Sequence, residues 1–329
     1  MESWFSEAPY THLQSKIRKL ALFLHQQEPK LSFRFLKKHV SEQVHELMKG
    51  RIGRLWERDR CMRRVIRMYG KEQQRTEAWY TARDKMITAS EVSDAWGTPA
   101  ARRTLMLRKL EPRKEGGQGT SMALIWGTRM EPVAKSIFEE ETQCKVVDVS
   151  CVQHRKYGFL GASPDGIVIP TAPGDEFRRG RLVEFKCPYS RAETPGIPAS
   201  YVHQMQMQME CTGIDECEYV EFRFKQVTQS VWAEHTGRKG MIAVVDDTGE
   251  VHYKPDSADP KEWRRTLPED CQFVHWVLLT QKKEFVPKDT TWLPSHLPDL
   301  QKTWDEICEH RKNGTLPEAP VSTVPSLDL

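Results

Sequence analysis

GASPDGIVIPTAPGDEFRRGRLVEFKCP, residues 161–188, sets Asp165, Glu184 and Lys186 in an otherwise apolar frame. Side chains alternate between the two faces of a strand, so LVEFK (182–186) points Leu182, Glu184 and Lys186 one way and Val183 and Phe185 the other. Asp165 precedes Gly166, where a tight turn or bulge re-aims the chain. TAPGDEFRRG (171–180) has the composition of a loop joining two neighbouring strands. Such a connection lets Asp165 meet Glu184 across the pair. Two converging carboxylates repel each other and need a cation, and hard oxygen ligands favour Mg2+ or Mn2+. Lys186 beside them can hold and help deprotonate a metal-bound water, or stabilise charge building on a phosphate. These parts suit phosphodiester hydrolysis. An ordinary cross-strand Glu–Lys pair with Asp165 as a turn former uses the same residues, so the rest of the chain has to decide.

The composition is that of a globular protein, 38% hydrophobic and 29% charged over 329 residues, enough for one large domain or two ordinary ones. No apolar run approaches the roughly 18 residues of a membrane span, and no apolar segment of a signal peptide opens the chain. The eight cysteines form no CxxC pair and read as reduced thiols, which points to an intracellular protein. Charge is uneven. Residues 1–70 carry 15 Lys and Arg against 7 Asp and Glu, and the remainder 34 against 39. A basic arm beside a more acidic body suits a polyanionic partner, and a solvated helical face accounts for it equally well.

Leu13, Ile17, Leu20, Ala21 and Leu24 recur at helical spacing, as do Val40, Val44, Leu47, Met48, Leu55, Val65 and Met68, with a break at Pro29. Residues 1–70 thus read as a basic helical region, densest at RIGRLWERDRCMRRVIR. Residues 71–312 read as the main domain. Helices are expected over 71–82, from Thr88 to near Gly97 behind a Thr88–Glu91 capping box, and over 100–110. The EGGQG loop precedes a further helix, SMALIWGTRMEPVAKSIFEEET. Strands follow at KVVDVSCV, FLGASPDGIVI and RLVEFKCP, then a helix over 198–212, then strands at ECEYVEFRF and GMIAVVDD. CQFVHWVLL and LPDLQKTWDEICEHRKN read as helices, and the Pro-rich tail, 313–329, as disordered. Helices around a short mixed sheet make an α/β or α+β core.

Four stretches, in order, resemble one family. SPDGIV…LVEFKCPYSR looks like the core of the YqaJ-like viral recombinases, the phage lambda exonuclease family within the PD-(D/E)xK nucleases. AWYTARDKMITASEV (78–92) is similar to its Arg-bearing segment before I-T-A-S, ALIWGTRMEPVAKSIFE (123–139) to its W-G-x-x-x-E helix, and YVHQMQMQM (201–209) to its Gln-bearing helix. The resemblance implies a restriction-endonuclease-like fold. It implies that Asp165 and Glu184 ligate Mg2+ or Mn2+ with the Phe185 carbonyl, that Lys186 positions or activates the attacking water, and that Glu131 adds a carboxylate from the preceding helix. Helical geometry agrees, placing Glu131 roughly 20° from Phe138 on the edge of the Trp126–Met130–Ala134–Ile137–Phe138 stripe.

Arg83, Thr88, Ser90 and Ser163 are then the expected phosphate contacts. The start of a capped helix offers free N–H groups to an anion, and an arginine upstream adds a bidentate grip. Gln204 and Gln206 match the family's positions for orienting the lysine or the scissile phosphate. His203 reads as a local contact. The implied activity is digestion of duplex DNA from free ends, 5′ to 3′, leaving 3′ overhangs. The implied partners are a single-strand annealing protein and further copies of the chain in a homo-oligomer, a trimer by family analogy. The implied source is a virus, phage or mobile element, with a nuclear or cytoplasmic location according to host. The competing readings are an internal or branch-cutting endonuclease with the same metal site, a DNA-binding adaptor on a nuclease-derived fold, and an RNA nuclease.

Overall fold

The computed structural model describes residues 9–111, 121–171, 178–192 and 194–319. The EGGQG loop, most of the 171–180 connection and the last ten residues of the tail lie outside the described residues. The chain opens with two long helices, α1 (Pro9–Gln27) and α2 (Phe33–Tyr69), on either side of Pro29. Ser32 starts the second, its Oγ accepting the Phe35 N–H. Next come α3 (Glu77–Asp84), β1 (Ile87–Thr88), a 3-10 turn (Ala89–Glu91), α4 (Val92–Ala95), α5 (Pro99–Leu110) and α6 (Met122–Thr142). Strands β2 (Cys144–Val147), β3 (Val152–Gln153), β4 (Leu160–Ala162), β5 (Gly166–Pro170) and β6 (Leu182–Lys186) lead into α7 (Ala199–Thr212) and β7 (Glu216–Val227). The C-terminal part contains α8 (Gln229–Glu234), β8 (Lys239–Val245), β9 (Val251–Tyr253), α9 (Pro260–Arg264), β10 (Cys271–Pro287) and α10 (Trp292–Asn313).

The main sheet has seven strands in the order β2-β5-β6-β7-β10-β8-β9, and a smaller one has the order β1-β4-β3. The architecture is the mixed α/β one expected. LVEFK is β6, antiparallel to β5 on one edge and parallel to β7 on the other. A parallel neighbour requires a crossover, and α7 supplies it. The alternation read from LVEFK separates two cores. Leu182 joins Ile167, Cys217 and Tyr219 beneath α7, with Met205, Met207 and Met209 of that helix. Val183 and Phe185 join Val168, Val220 and Phe222 beneath α6, against Trp126, Met130, Ala134, Ile137 and Phe138. Trp126 is therefore a core residue. Gly166 is required for close approach, since a Cβ there would stand 2.3 Å from Val146 Cγ1.

Three arginines of α2, Arg58, Arg63 and Arg64, pair with groups of the protein itself. Arg58, 3% exposed, donates from Nε to Asp215 at 2.6 Å and pairs with Glu216 at 3.0 Å. Asp59 is clamped between Arg63 and Arg179, and Arg64 donates to the Thr212 carbonyl at the end of α7. Met62 and Val65 are fully buried in the core beneath α7. These arginines fasten the helix to the start of β7 and the end of α7. The earlier turns differ: among the described residues Leu36 and Val40 bury in a separate cluster with Ile17 and Ala21 of α1.

One element departs from expectation. CQFVHWVLL is not helical but the first half of β10, paired with β7 on one edge and β8 on the other. Its apolar residues fall on both parities because both faces are covered. Trp276, Val274 and Leu278 pack beneath α6, while Phe273 packs against Trp263 on the opposite side. A nine-residue apolar run of that kind imitates a buried helix, and only its β-branched and aromatic content favours a strand.

Met62→Ala should lower stability by about 2–5 kcal/mol in denaturant titrations, as expected for a buried side chain truncated in a packed core. Deleting residues 1–43 should leave the melting transition of the domain cooperative, because Ile17, Ala21, Leu36 and Val40 cluster apart from its core.

Candidate active site

The ladder pairs Gly166 with Val183 and Ile167 with Leu182, so one step further along the same register Asp165 stands opposite Glu184. Asp165 Oδ2 accepts the Phe185 N–H at 2.7 Å. In a strand a residue's N–H and C=O leave on the same edge, so the Phe185 carbonyl also faces Asp165. Glu184 is 1% exposed. Its Oε1 accepts from Lys186 Nζ at 2.5 Å and Gln204 Nε2 at 2.6 Å, and its Oε2 accepts from Gln208 Nε2 at 2.6 Å. Lys186 also donates to Gln204 Oε1 at 3.2 Å and lies 4.6 Å from the centre of the Tyr201 ring.

Glu131 approaches from α6 and pairs with Arg75 at 2.8 Å. Burial raises its carboxyl; Arg75 opposes this and Glu184 adds to it. Burial also pushes Asp165 well above the ordinary carboxylate range, and the charges of Glu184 and Glu131 push the same way against Lys186 and the Phe185 N–H. For Lys186 burial acts to lower the ammonium, but Glu184 and Asp165 outweigh it and hold the proton more tightly than usual. Three carboxylates feel one another here with a single lysine among them. Among the described residues no three His, Cys, Asp or Glu side chains are gathered as a metal-binding group; Glu131 is drawn to Arg75, and Glu184 to its three donors. The donor chemistry nevertheless fits a hard divalent cation: carboxylate oxygens in mutual repulsion, with a backbone carbonyl on the same edge.

A second cluster lies two residues upstream of Asp165. Arg83 stacks on Trp79, its guanidinium carbon 4.4 Å from the ring centre. It donates to Ser90 Oγ at 3.3 Å and reaches Ser163 Oγ at 3.5 Å, which also accepts from Trp79 Nε1 at 3.0 Å. Arg83, Ser90 and Ser163 are thus brought together, with Ser90 exposed. Thr88 is not. It is buried, and both its N–H and its hydroxyl donate to Glu91 Oε2, at 2.9 and 2.6 Å. The capping box exists, yet the helix behind it is only a 3-10 turn running into the single turn of α4. Glu91 in turn pairs with Lys109 at 2.8 Å, which also donates to the Arg83 carbonyl at 3.0 Å.

On α7 the glutamines divide. Gln204 faces Glu184 and Lys186, whereas Gln206 turns away, donating to the Pro287 carbonyl and accepting the Asp289 N–H, both at 2.9 Å. Gln206 therefore ties α7 to the end of β10 and does not reach the carboxylates. The register is the reason: positions four apart share a helix face, and positions two apart do not. The same rule identifies Gln208, absent from the sequence expectation, as the partner of Gln204. Tyr201 and Arg75 were also missed. Tyr201 stands three residues before Gln204 on one face, but nothing in the sequence places Arg75 near Glu131. His203 accepts the Trp292 indole N–H at 2.8 Å, a local contact.

A mixed α/β domain with a carboxylate and a lysine on an inner strand and a second carboxylate facing them from its neighbour is the class these observations define. Residues 78–215 match the model of the YqaJ-like viral recombinase domain, which bears out the resemblance over that segment. A stretch of 172 residues is 24% identical to the uncharacterized protein R354 of Acanthamoeba polyphaga mimivirus, taking in 49% of this chain and 31% of that protein. The matched stretch thus spans about a third of the length of that relative. Among solved structures, the alkaline exonuclease LHK-Exo from Laribacter hongkongensis is similar at 24% identity and a TM-score of 0.47, over 72% of this chain and 95% of its own. A phage-related exonuclease from Haemophilus somnus 129PT is similar at 11% identity and a TM-score of 0.36, over 68% and 96%. No helix among the described residues is long and apolar enough to cross a membrane.

An acid whose folded pKa lies above its unfolded value loses stability as pH rises past the unfolded value near 4, and the loss persists at higher pH. Asp165→Asn keeps an acceptor for the Phe185 N–H and removes the charge. The variant should therefore melt higher than the wild type at pH 8 without metal, and about equally near pH 3. Added Mg2+ should narrow the gap by stabilising the wild type alone.

Proposed function

We propose that the protein is a divalent-metal-dependent deoxyribonuclease that degrades duplex DNA from its ends, 5′ to 3′, leaving 3′ overhangs. The observation that carries this reading is the register that sets Asp165 opposite Glu184, with Lys186 on the same face and Glu131 close enough to add to their repulsion. Asp165, Glu184 and the Phe185 carbonyl, with Glu131, would hold Mg2+ or Mn2+, which supplies Lewis acidity at the phosphate and acidifies a bound water. The match of residues 78–215 to a viral recombinase domain supports DNA as the substrate. A homo-oligomer and an annealing partner rest on the family resemblance.

The protein's own groups have distinct tasks. Lys186, hydrogen-bonded to Glu184 on the same strand face, positions or helps activate the attacking water and offsets charge developing on the phosphate. Gln204 bridges Lys186 and Glu184 and fixes their separation. Arg83, levelled on Trp79 and flanked by Ser90 and Ser163, presents donors to a terminal phosphate, and Ser163 lies two residues before Asp165 on the same loop. An end bound there is close in the chain to the cutting strand, which favours action at ends over internal cutting.

Linear duplexes with and without a 5′ phosphate, and a closed circular duplex, incubated with Mg2+, test the reading. Linear phosphorylated DNA should be degraded and the circle left intact. Lys186→Ala should lower the rate roughly 10²–10³-fold, as removal of one preorganised donor does, and Arg83→Ala should remove the preference for the 5′ phosphate. Nicking of the circle would assign internal cutting. Undiminished degradation by Lys186→Ala would contradict the proposed mechanism.

A further inference from the structure

Three groups donate to Glu184, and two of them, Lys186 and Gln204, share one oxygen. Gln208 alone holds the other, Oε2, at 2.6 Å. It is fully buried on the helix face it shares with Tyr201, Gln204 and Met205, and among the described residues its own Oε1 has no hydrogen-bond partner. A buried amide with an orphaned oxygen is a costly choice at a position where Met or Leu would pack, so packing alone does not explain it. The orientation is fixed by charge. Turning the amide over would set Oε1 against the carboxylate, so Nε2 faces Glu184 for as long as Glu184 is ionised. The Thr212 hydroxyl donates to the Gln208 backbone carbonyl at 2.8 Å, a contact that leaves the Gln208 side-chain amide free to serve Glu184.

We infer that Gln208 is a positioning residue for Glu184: it holds Oε2 from the α7 side, so the carboxylate presents one fixed orientation to the edge it shares with Asp165. The inference rests on the nuclease reading given above. Gln204 and Gln208, four apart on one helix face, grip the two oxygens separately. Together they set both the position and the rotation of the carboxylate plane, which a single donor cannot do. Outer contacts of this type on metal-binding carboxylates are worth roughly 10–100-fold in metal affinity or activity when removed.

The test uses the full chain with Gln208→Met, which matches the shape and lacks the amide, and Gln208→Glu, which sets a second acid against Glu184. Mn2+ binding is measured by calorimetry without DNA, and kcat and KM are measured on linear duplex across a range of Mg2+ concentrations. Thermal melting identifies which variants are folded. In a folded variant the expected result is roughly tenfold or greater weakening of Mn2+ binding, a fall in kcat, a higher Mg2+ requirement and an unchanged KM for DNA. Wild-type Mn2+ affinity and kcat in folded Gln208→Met would overturn the inference while leaving the nuclease reading intact. Loss of folding in both variants would also overturn it, by assigning Gln208 to the fold. A wild type that binds Mn2+ but leaves duplex DNA intact would remove the nuclease reading, and Gln208 would still be judged by the metal titration.

Discussion

A carboxylate buried in an inner strand of the sheet, Glu184, sets the terms for everything around it. An ionised group out of contact with water is tolerable only if donors surround it, and three do: Lys186 from its own strand, Gln204 and Gln208 from α7. That requirement explains why the helix crossing between β6 and β7 carries glutamines among its methionines. The apolar layer beneath α6 holds Val183 and Phe185 from behind. The strand is therefore anchored on one face by hydrophobic packing and on the other by hydrogen bonds to a charge.

The site is completed from three directions. Asp165 arrives through the β5–β6 register, Glu131 from the α6 layer, and the Arg83 cluster from the segment that precedes the small sheet. Trp79 links the last of these to the loop carrying Asp165 through Ser163. Two buried groups tie the cradle to its support: Glu91 holds Thr88, and Lys109 holds both Glu91 and the Arg83 carbonyl. The mutual repulsion of the Asp165, Glu131 and Glu184 carboxyl groups is the property that distinguishes this arrangement from an ordinary cross-strand pair. An isolated Glu184–Lys186 pair would be neutral and self-sufficient.

What could be read from the sequence follows from physical period. Strand alternation assigned the two faces of LVEFK, and the antiparallel pairing brought Asp165 to Glu184 because a short connection leaves few registers open. Helical period failed where it was not applied strictly. Gln204 and Gln206 were taken together although two residues apart on a helix, and the structure gives Gln204 and Gln208. CQFVHWVLL was misread because a strand covered on both faces has no alternation to show. The arginines of α2 suit a polyanionic partner or a solvated face equally well in the sequence, which reveals charge but not its partners; Arg58 and Arg64 are occupied by Asp215, Glu216 and the end of α7, more than 140 residues away in the chain. Long-range pairing of this kind, like that of Arg75 with Glu131, has no local signature. The cradle was half legible: Arg83, Ser90 and Ser163 converge, whereas Thr88 is consumed in the capping box that made it noticeable.

The central claim is that Asp165 and Glu184 form one cation site. Diffraction from crystals soaked in Mn2+, recorded at the manganese absorption edge, tests it most directly. A peak bridging Asp165 and Glu184, within reach of the Phe185 carbonyl and lost in Glu184→Gln, is the expected result. A peak elsewhere, or none while Glu184 remains held by Lys186, Gln204 and Gln208, would contradict it.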